Sequence, residues 1–235
     1  MVDRPILFSA PMVRALLDGR KTQTRRVAKI TAIMGNKVAI HPPEELIELE
    51  AGEFQRGVMH YASTGALSGP YNIGFAMGDR LWVREAWART NNVNNQSNWP
   101  GRPCLCLCET HCQEVVIYRA DGPWEWCDDD GFSTERSLWK PSIHMPRWAS
   151  RLTLTVTDVR VERLQDISEA DAIAEGALLP WSGFDPSSDT RTARAEFKFL
   201  WDSINCPGAW EANPWVVVVG FTVGQHNIDA EASHD

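Results

Sequence analysis

Gly19-Arg20-Lys21-Thr22-Gln23-Thr24-Arg25-Arg26 is the stretch on which the reading of this chain turns. Just upstream, Ser9 is placed to cap a short helix, with Pro11 in its first turn and Val13, Leu16 and Leu17 on an apolar face. Gly19 suits the left-handed position that ends such a helix. The basic run therefore leaves a helix and enters a strand. On a strand Thr22, Thr24 and Arg26 share one face, while Lys21 sits at the turn and need not obey the alternation. A hydroxyl, a guanidinium and an ammonium then converge on one concavity. Spacing alone favours a plainer alternative, a solvated basic strand at a sheet edge.

Working outward, Gly35-Asn36 is placed to turn a hairpin between residues 31–34 and 37–40. Residues 63–71 carry no clear pattern and read as loop. Gly78-Asp79 is a turn signal, after which Leu81, Val83 and Glu85 alternate with Trp82, Arg84 and Ala86 as on a strand. Residues 91–103 and 121–137 read as loop, with a short strand at 115–118 between them. Residues 151–163 give the clearest strand, with a bulge expected near Asp158. Ser168-Glu169-Ala170-Asp171 has the form of a capping box, opening a helix that ends at Gly176. Residues 192–204 read as a helix with Phe197, Leu200, Trp201 and Ile204 on one face. Residues 215–223 read as a buried strand, and the polar tail 224–235 as frayed. Short strands outnumber helices, which predicts an α+β domain built on a small barrel.

Composition bounds the function. The chain has 235 residues, 43% hydrophobic and 23% charged, enough for one sizeable core and too apolar for wholesale disorder. Its net charge of -8 disfavours a general coat for nucleic acid, whose affinity is dominated by phosphate neutralisation. No apolar run reaches the length of a membrane span, and no leader pattern is visible, so a cytoplasmic location is expected. The eleven Trp residues exceed the three Tyr. Most of the set Trp82, Trp87, Trp148, Trp201 and Trp215 is expected in the core, with one or two free to form a stacking wall.

The pattern Gly-x-Lys-x-x-Thr-x-Arg, present as Gly19, Lys21, Thr24 and Arg26, resembles the signature of ASCH domains, which belong to the PUA-like superfamily. The run through Arg26 and the turn and strand at Gly78, Asp79, Leu81 and Val83 are similar to the small bacterial amidohydrolases that deacetylate N4-acetylcytidine. The resemblance covers about half the chain, and residues 27–77 and 88–140 have no counterpart in those enzymes. The opening at residues 4–9 and the stretch 140–148 look like the longer ASCH proteins of bacteriophages and prophages. The resemblance implies one PUA-like β-barrel domain over residues 1–223, with flanking helices and two long insertions. It implies catalysis by Lys21, Thr24 and Glu175. Lys21 would activate the Thr24 hydroxyl, and Glu175 would handle the leaving-group proton. Substrate contacts are expected from Arg26, Arg25, Glu85, His144 and Arg147. No cofactor is required for this chemistry. The family also contains RNA-binding members and reported nucleases, so a binding module for RNA or a modified nucleotide, or a ribonuclease, is the alternative.

Three further readings have plainer alternatives. Glu85 competes for the carboxylate role but reads more simply as a surface ion pair on an exposed strand face. His144 reads more simply as an exposed loop residue. Cys104, Cys106, Cys108, Cys112 and Cys127 are dense enough to hold a structural zinc, although the spacing is not that of a zinc knuckle and small core residues are the simpler account. Cys206 is isolated and expected to be structural.

Overall fold

A computed structural model describes residues 1–28, 31–34, 37–40, 53–55, 58–63, 66–72, 74–93, 112–122, 139–177 and 192–230, with the backbone alone for 31–72, 90–93 and 112–114 within those ranges. In chain order the elements are β1 (Asp3–Leu7), α1 (Ala10–Leu17), β2 (Gln23–Val27), β3 (Thr31–Met34), β4 (Lys37–Ile40), β5 (Glu53–Gln55), β6 (Val58–Ser63), β7 (Ala66–Asn72), β8 (Arg80–Arg84), β9 (Trp87–Val93), β10 (Cys112–Tyr118), β11 (Thr153–Arg163), α2 (Glu169–Ala174), α3 (Ala193–Asn205) and β12 (Trp215–Gly224). The class is mixed α and β, with strands in the majority.

One five-stranded sheet has the order β1-β8-β11-β12-β2, a second has the order β4-β3-β7-β6-β5, and β9 pairs with β10. Among the described residues the first sheet ends at β1 and at β2, and no pairing closes it into a barrel. The chain divides into two compact units. The first comprises Met1–Arg4, Asp18–Leu81 and Leu154–Gly224; the second comprises Pro5–Leu17, Trp82–Thr153 and Gln225–Asp235.

In the first unit β12 is a valine run, and Val216, Val217, Val218 and Val219 are all buried. Such a strand needs cover on both faces. On the side of Val216 and Val218 the cover comes from Ala172 of α2 and from Phe197 and Trp201 of α3, with Leu164 and Trp210 completing the cluster. Thr192 caps α3 by accepting from the Ala195 amide. Ile204, expected on the inner face of α3, is instead exposed. Cys206 follows it and is exposed as well.

Helix α2 has both of its expected ends. Ser168 Oγ accepts from the Asp171 amide at 3.1 Å and donates to Asp171 Oδ2 at 2.9 Å. At the other end Gly176 has φ +82°, its amide bonds to Ile173 O at 2.8 Å, and the Ala177 amide bonds to Ala172 O at 3.2 Å. This is a Schellman motif, and its left-handed residue is best filled by glycine. Ser168→Ala is expected to cost about 1 kcal/mol, read as a lower denaturant midpoint at unchanged slope.

Residues 91–93, expected in a loop, belong to β9, where they pair with β10, and two further readings are corrected. Residues 66–72 form β7, paired with β6 and β3, although Gly69 and Pro70 lie within it. The residues after Gly224 are anchored as far as Ala230. Ile228 is fully buried, and Asn227 Nδ2 donates to the carbonyls of Arg147, Trp148 and Ser150 at 3.0, 3.2 and 2.7 Å, all within the second unit. Residues 231–235 lie outside the described residues. The hairpin register expected around Gly35-Asn36 is found, with Met34 opposite Lys37. In β11 the inward alternation breaks at Thr157 and Asp158, both exposed, where the bulge was expected.

In the second unit Trp87, Met145 and Ala149 form a small core. Helix α1 buries Met12, Val13, Ala15 and Leu16, a face turned slightly from the expected one, with Leu17 only half-buried. Of the tryptophans expected inside, Trp87 and Trp201 are buried, whereas Trp148 is 55% exposed. Trp82 and Trp215 are half-buried, each covered by a guanidinium, from Arg84 and Arg163 respectively.

Candidate functional site

The basic run of the opening sequence becomes β2, which pairs antiparallel with β12 so that Gln23 faces Gly220, Thr24 faces Val219, Arg25 faces Val218 and Arg26 faces Val217. Residues directly opposite share a sheet face. Arg25 therefore lies on the Val218 side, under the helices, and its guanidinium stands 5.9 Å from the Phe197 ring centroid. The chain just before β2 is strapped twice. The Thr22 amide donates to Ala174 O at 2.9 Å, and the Phe221 amide donates to Thr22 O at 2.9 Å. These bonds set Lys21 against the C-terminal end of α2.

There Lys21 and Glu175 form a buried pair. Lys21 is 2% exposed and Glu175 3%. Lys21 Nζ donates to Glu175 Oε2 at 2.8 Å and to the Glu175 backbone carbonyl at 2.9 Å. The second bond satisfies one of the carbonyls left open at a helix C-terminus, where a cation is favoured. Arg25 Nη1 donates to Glu175 Oε1 at 3.1 Å. The carboxylate thus has one cation on each oxygen. Burial pulls the Lys21 ammonium below its ordinary value; the Glu175 charge opposes this, and the Arg26 and Arg25 charges add to it.

The cluster extends outward through groups the sequence did not single out. Gln23 Nε2 donates to Asp171 O and Oδ1 at 2.8 and 3.0 Å. Arg25 reaches Glu162 Oε1 through Nε and Nη2, and Arg160 bridges Glu162, Asp171 and Asp158. Burial pushes the Asp171 carboxyl up, but bonds from Gln23 and Ser168 and the charges of Arg160 and Arg25 outweigh it and leave the group below its ordinary value. A signal for this network existed: Lys21, Gln23 and Arg25 are spaced by two, the period that gathers side chains on one strand face.

Thr24 is buried but holds the intervening position, so strand alternation turns its side chain to the face of Arg26. Arg26 is half-buried; burial lowers its guanidinium from the ordinary value, and the charge of Glu175 pulls the other way. Lys21, Glu175 and Arg25 are thus joined by direct bonds, and Arg26 is linked to them by charge.

Glu85, His144 and Arg147 belong to the second unit. Glu85 is corrected from an exposed ion pair to a buried one at 1% exposure, with Arg151 donating to its two oxygens at 2.9 and 3.1 Å. Burial raises its carboxyl above the ordinary value, against the pull of Arg151. Arg151 also bonds Asp121 and stands 3.9 Å over the Tyr118 ring, which makes this a satisfied structural cluster. His144 is exposed in a 3-10 turn. Arg147 pairs with Asp229 at 2.6 Å. The side chains of Cys104, Cys106, Cys108, Cys112 and Cys127 lie outside the described residues. Among the described residues no helix is long and apolar enough to cross a membrane.

No family model matches this chain, and no curated protein or solved structure matches it either.

Proposed function

We propose that this protein is an amidohydrolase of the ASCH type, built on a PUA-like barrel, that removes an acyl group from an N4-acylated cytidine or a related modified nucleoside. The observation that carries the reading is the buried contact between Lys21 Nζ and Glu175 Oε2, 2.8 Å long. Fully buried charges are costly, and a well-packed apolar pair of similar volume serves stability as well or better. An ammonium held below its ordinary value by burial, in direct contact with a carboxylate, suits proton transfer.

In its deprotonated form Lys21 would take the proton of the Thr24 hydroxyl, to which it is not bonded in this structure, as that oxygen adds to the acyl carbonyl carbon. Lys21 returns that proton through Glu175 to the cytosine 4-amino nitrogen as the carbon–nitrogen bond breaks. Water then hydrolyses the acyl-threonine, releasing the carboxylic acid and restoring the hydroxyl. Arg26, on the face of Thr24, stabilises the oxyanion. No metal or organic cofactor takes part in these steps.

The test is hydrolysis of N4-acetylcytidine by purified protein, followed by ultraviolet absorbance and confirmed by chromatography. Turnover by the wild type is expected, with a loss of at least about a hundredfold in Lys21→Ala and in Thr24→Val. An inert wild type, shown to be folded, would displace this reading in favour of a nucleotide- or RNA-binding module. The Thr24→Val result is specific to the nucleophile: activity retained there, but lost in Lys21→Ala, would assign the attack to water.

A further inference from the structure

The hydrolase reading leaves Arg25 as a candidate for binding substrate, and its surroundings point elsewhere. The side chain has no solvent exposure. Its donors are engaged on every edge. Nη1 holds Glu175 Oε1 at 3.1 Å, Nε and Nη2 hold Glu162 Oε1 at 3.1 and 2.5 Å, and Nη2 lies 3.5 Å from Asp171 Oδ2. The Phe197 ring stands beside the guanidinium plane. Each guanidinium nitrogen already has a carboxylate partner, and the side chain has no exposed surface for a ligand to reach.

The partners explain why this group is an arginine. Glu175 ends α2, and rotation of its carboxylate would exchange the oxygen that faces Lys21. Arg25 takes Oε1 and leaves Oε2 to Lys21. Arg25 is itself held, because Glu162 receives it on one oxygen while Arg160 Nε takes the other at 3.2 Å. A planar fork can span Glu175 and Glu162 together; a single ammonium cannot. This is the arrangement in which a proton-transfer group is oriented by a third group that never meets the substrate.

We infer that Arg25, seated by Glu162, is a positioning residue that fixes the Glu175 carboxylate with one oxygen on Lys21, and that it does not bind substrate. The inference rests on the hydrolase reading of Lys21 and Glu175. Glu162 is the more informative site to change, because it holds Arg25 directly through Nε and Nη2 and stands one step removed from the Lys21–Glu175 pair. Its side chain is 20% exposed, which makes a Gln there tolerable for folding.

The experiment measures kcat and KM for N4-acetylcytidine in wild type, Glu162→Gln and Arg25→Lys, with Lys21 titrated in each by carbon-13 NMR of its Cε. The expected result is a fall in kcat of about tenfold for Glu162→Gln and about a hundredfold for Arg25→Lys, with KM within about twofold of wild type, as small misplacement of a reacting group produces. Because Arg25→Lys conserves charge, a fall in the Lys21 titration midpoint reports that the Glu175 carboxylate has swung away from Lys21. A raised KM at unchanged kcat would assign Arg25 to substrate binding and overturn the inference. Wild-type kinetics in both variants would overturn it too. If wild type does not turn over N4-acetylcytidine, the hydrolase reading fails, and the NMR arm decides alone: a lowered midpoint in Arg25→Lys upholds the orienting role, and an unchanged or raised one overturns it.

Discussion

Glu175→Ala is expected to lower the free energy of unfolding by about 3–5 kcal/mol, as the loss of one partner of a buried ion pair does. Two cations lose a partner at once. Lys21, 2% exposed, loses the carboxylate while the backbone carbonyl at position 175 stays, and Arg25 Nη1 loses its acceptor. Uncompensated buried charge is the costly state, more than the absent pair itself. The paired replacement Lys21→Met with Glu175→Leu is therefore expected to recover the share of the loss that comes from Lys21, since it removes both charges of the pair and keeps volume, while Arg25 Nη1 still lacks its acceptor. Chemical denaturation of the two singles and the double closes the cycle. The same pair carries a pH signature. Lys21 in the folded chain titrates below the ordinary 10.5. Between its folded value and 10.5 the unfolded chain binds more protons, so stability rises with pH across that window and is lost as pH falls through the folded value. Lys21→Met is expected to flatten that slope.

Phe197→Ala is expected to cost a comparable amount, about 3–5 kcal/mol. The ring is 3% exposed at the centre of the cluster joining α3 to β12. It lies 5.9 Å from the Trp201 ring centroid and 6.3 Å from that of Trp210, edge-on to the latter. Alanine leaves a void the neighbouring rings cannot collapse to fill. The same substitution uncovers the Arg25 guanidinium and admits water to the clamp on Glu175. Activity is thus expected to fall even under conditions where the variant stays folded. A denaturant titration measures the first effect, and kcat measured well below the midpoint measures the second. Phe197→Leu, which restores most of the volume, is expected to recover stability to within about 1.5 kcal/mol of wild type.

Local features of this fold were legible in the sequence because local chemistry determines them. Ser168 needs only the amide three residues on, Gly176 needs only its own φ, and the pairing of Met34 with Lys37 joins two strands that are neighbours in sequence. The valine run of β12 announces burial by composition. Features that depend on distant partners were not legible. Gly69 and Pro70 weaken a strand locally, yet β7 forms because β6 and β3 supply pairing on both sides. The tail past Gly224 is polar, yet Asn227 finds three carbonyls some 77–80 residues away. Glu85 shares strand parity with the buried Leu81 and Val83, so its burial was implied; what the sequence did not reveal was Arg151, the partner that makes burial tolerable. At the candidate site Lys21 and Glu175 were linked by resemblance, whereas Glu162 and Asp171 joined Arg25 only once β2, β11 and α2 were in place.

The most direct measurement is turnover of N4-acetylcytidine by the Lys21→Met and Glu175→Leu double variant, set beside its unfolding free energy. If the buried pair is kept for chemistry, the double variant should fold with a stability well above that of Glu175→Ala and show no turnover above background. Turnover at the wild-type rate in a folded double variant would contradict the assignment of catalysis to Lys21 and Glu175.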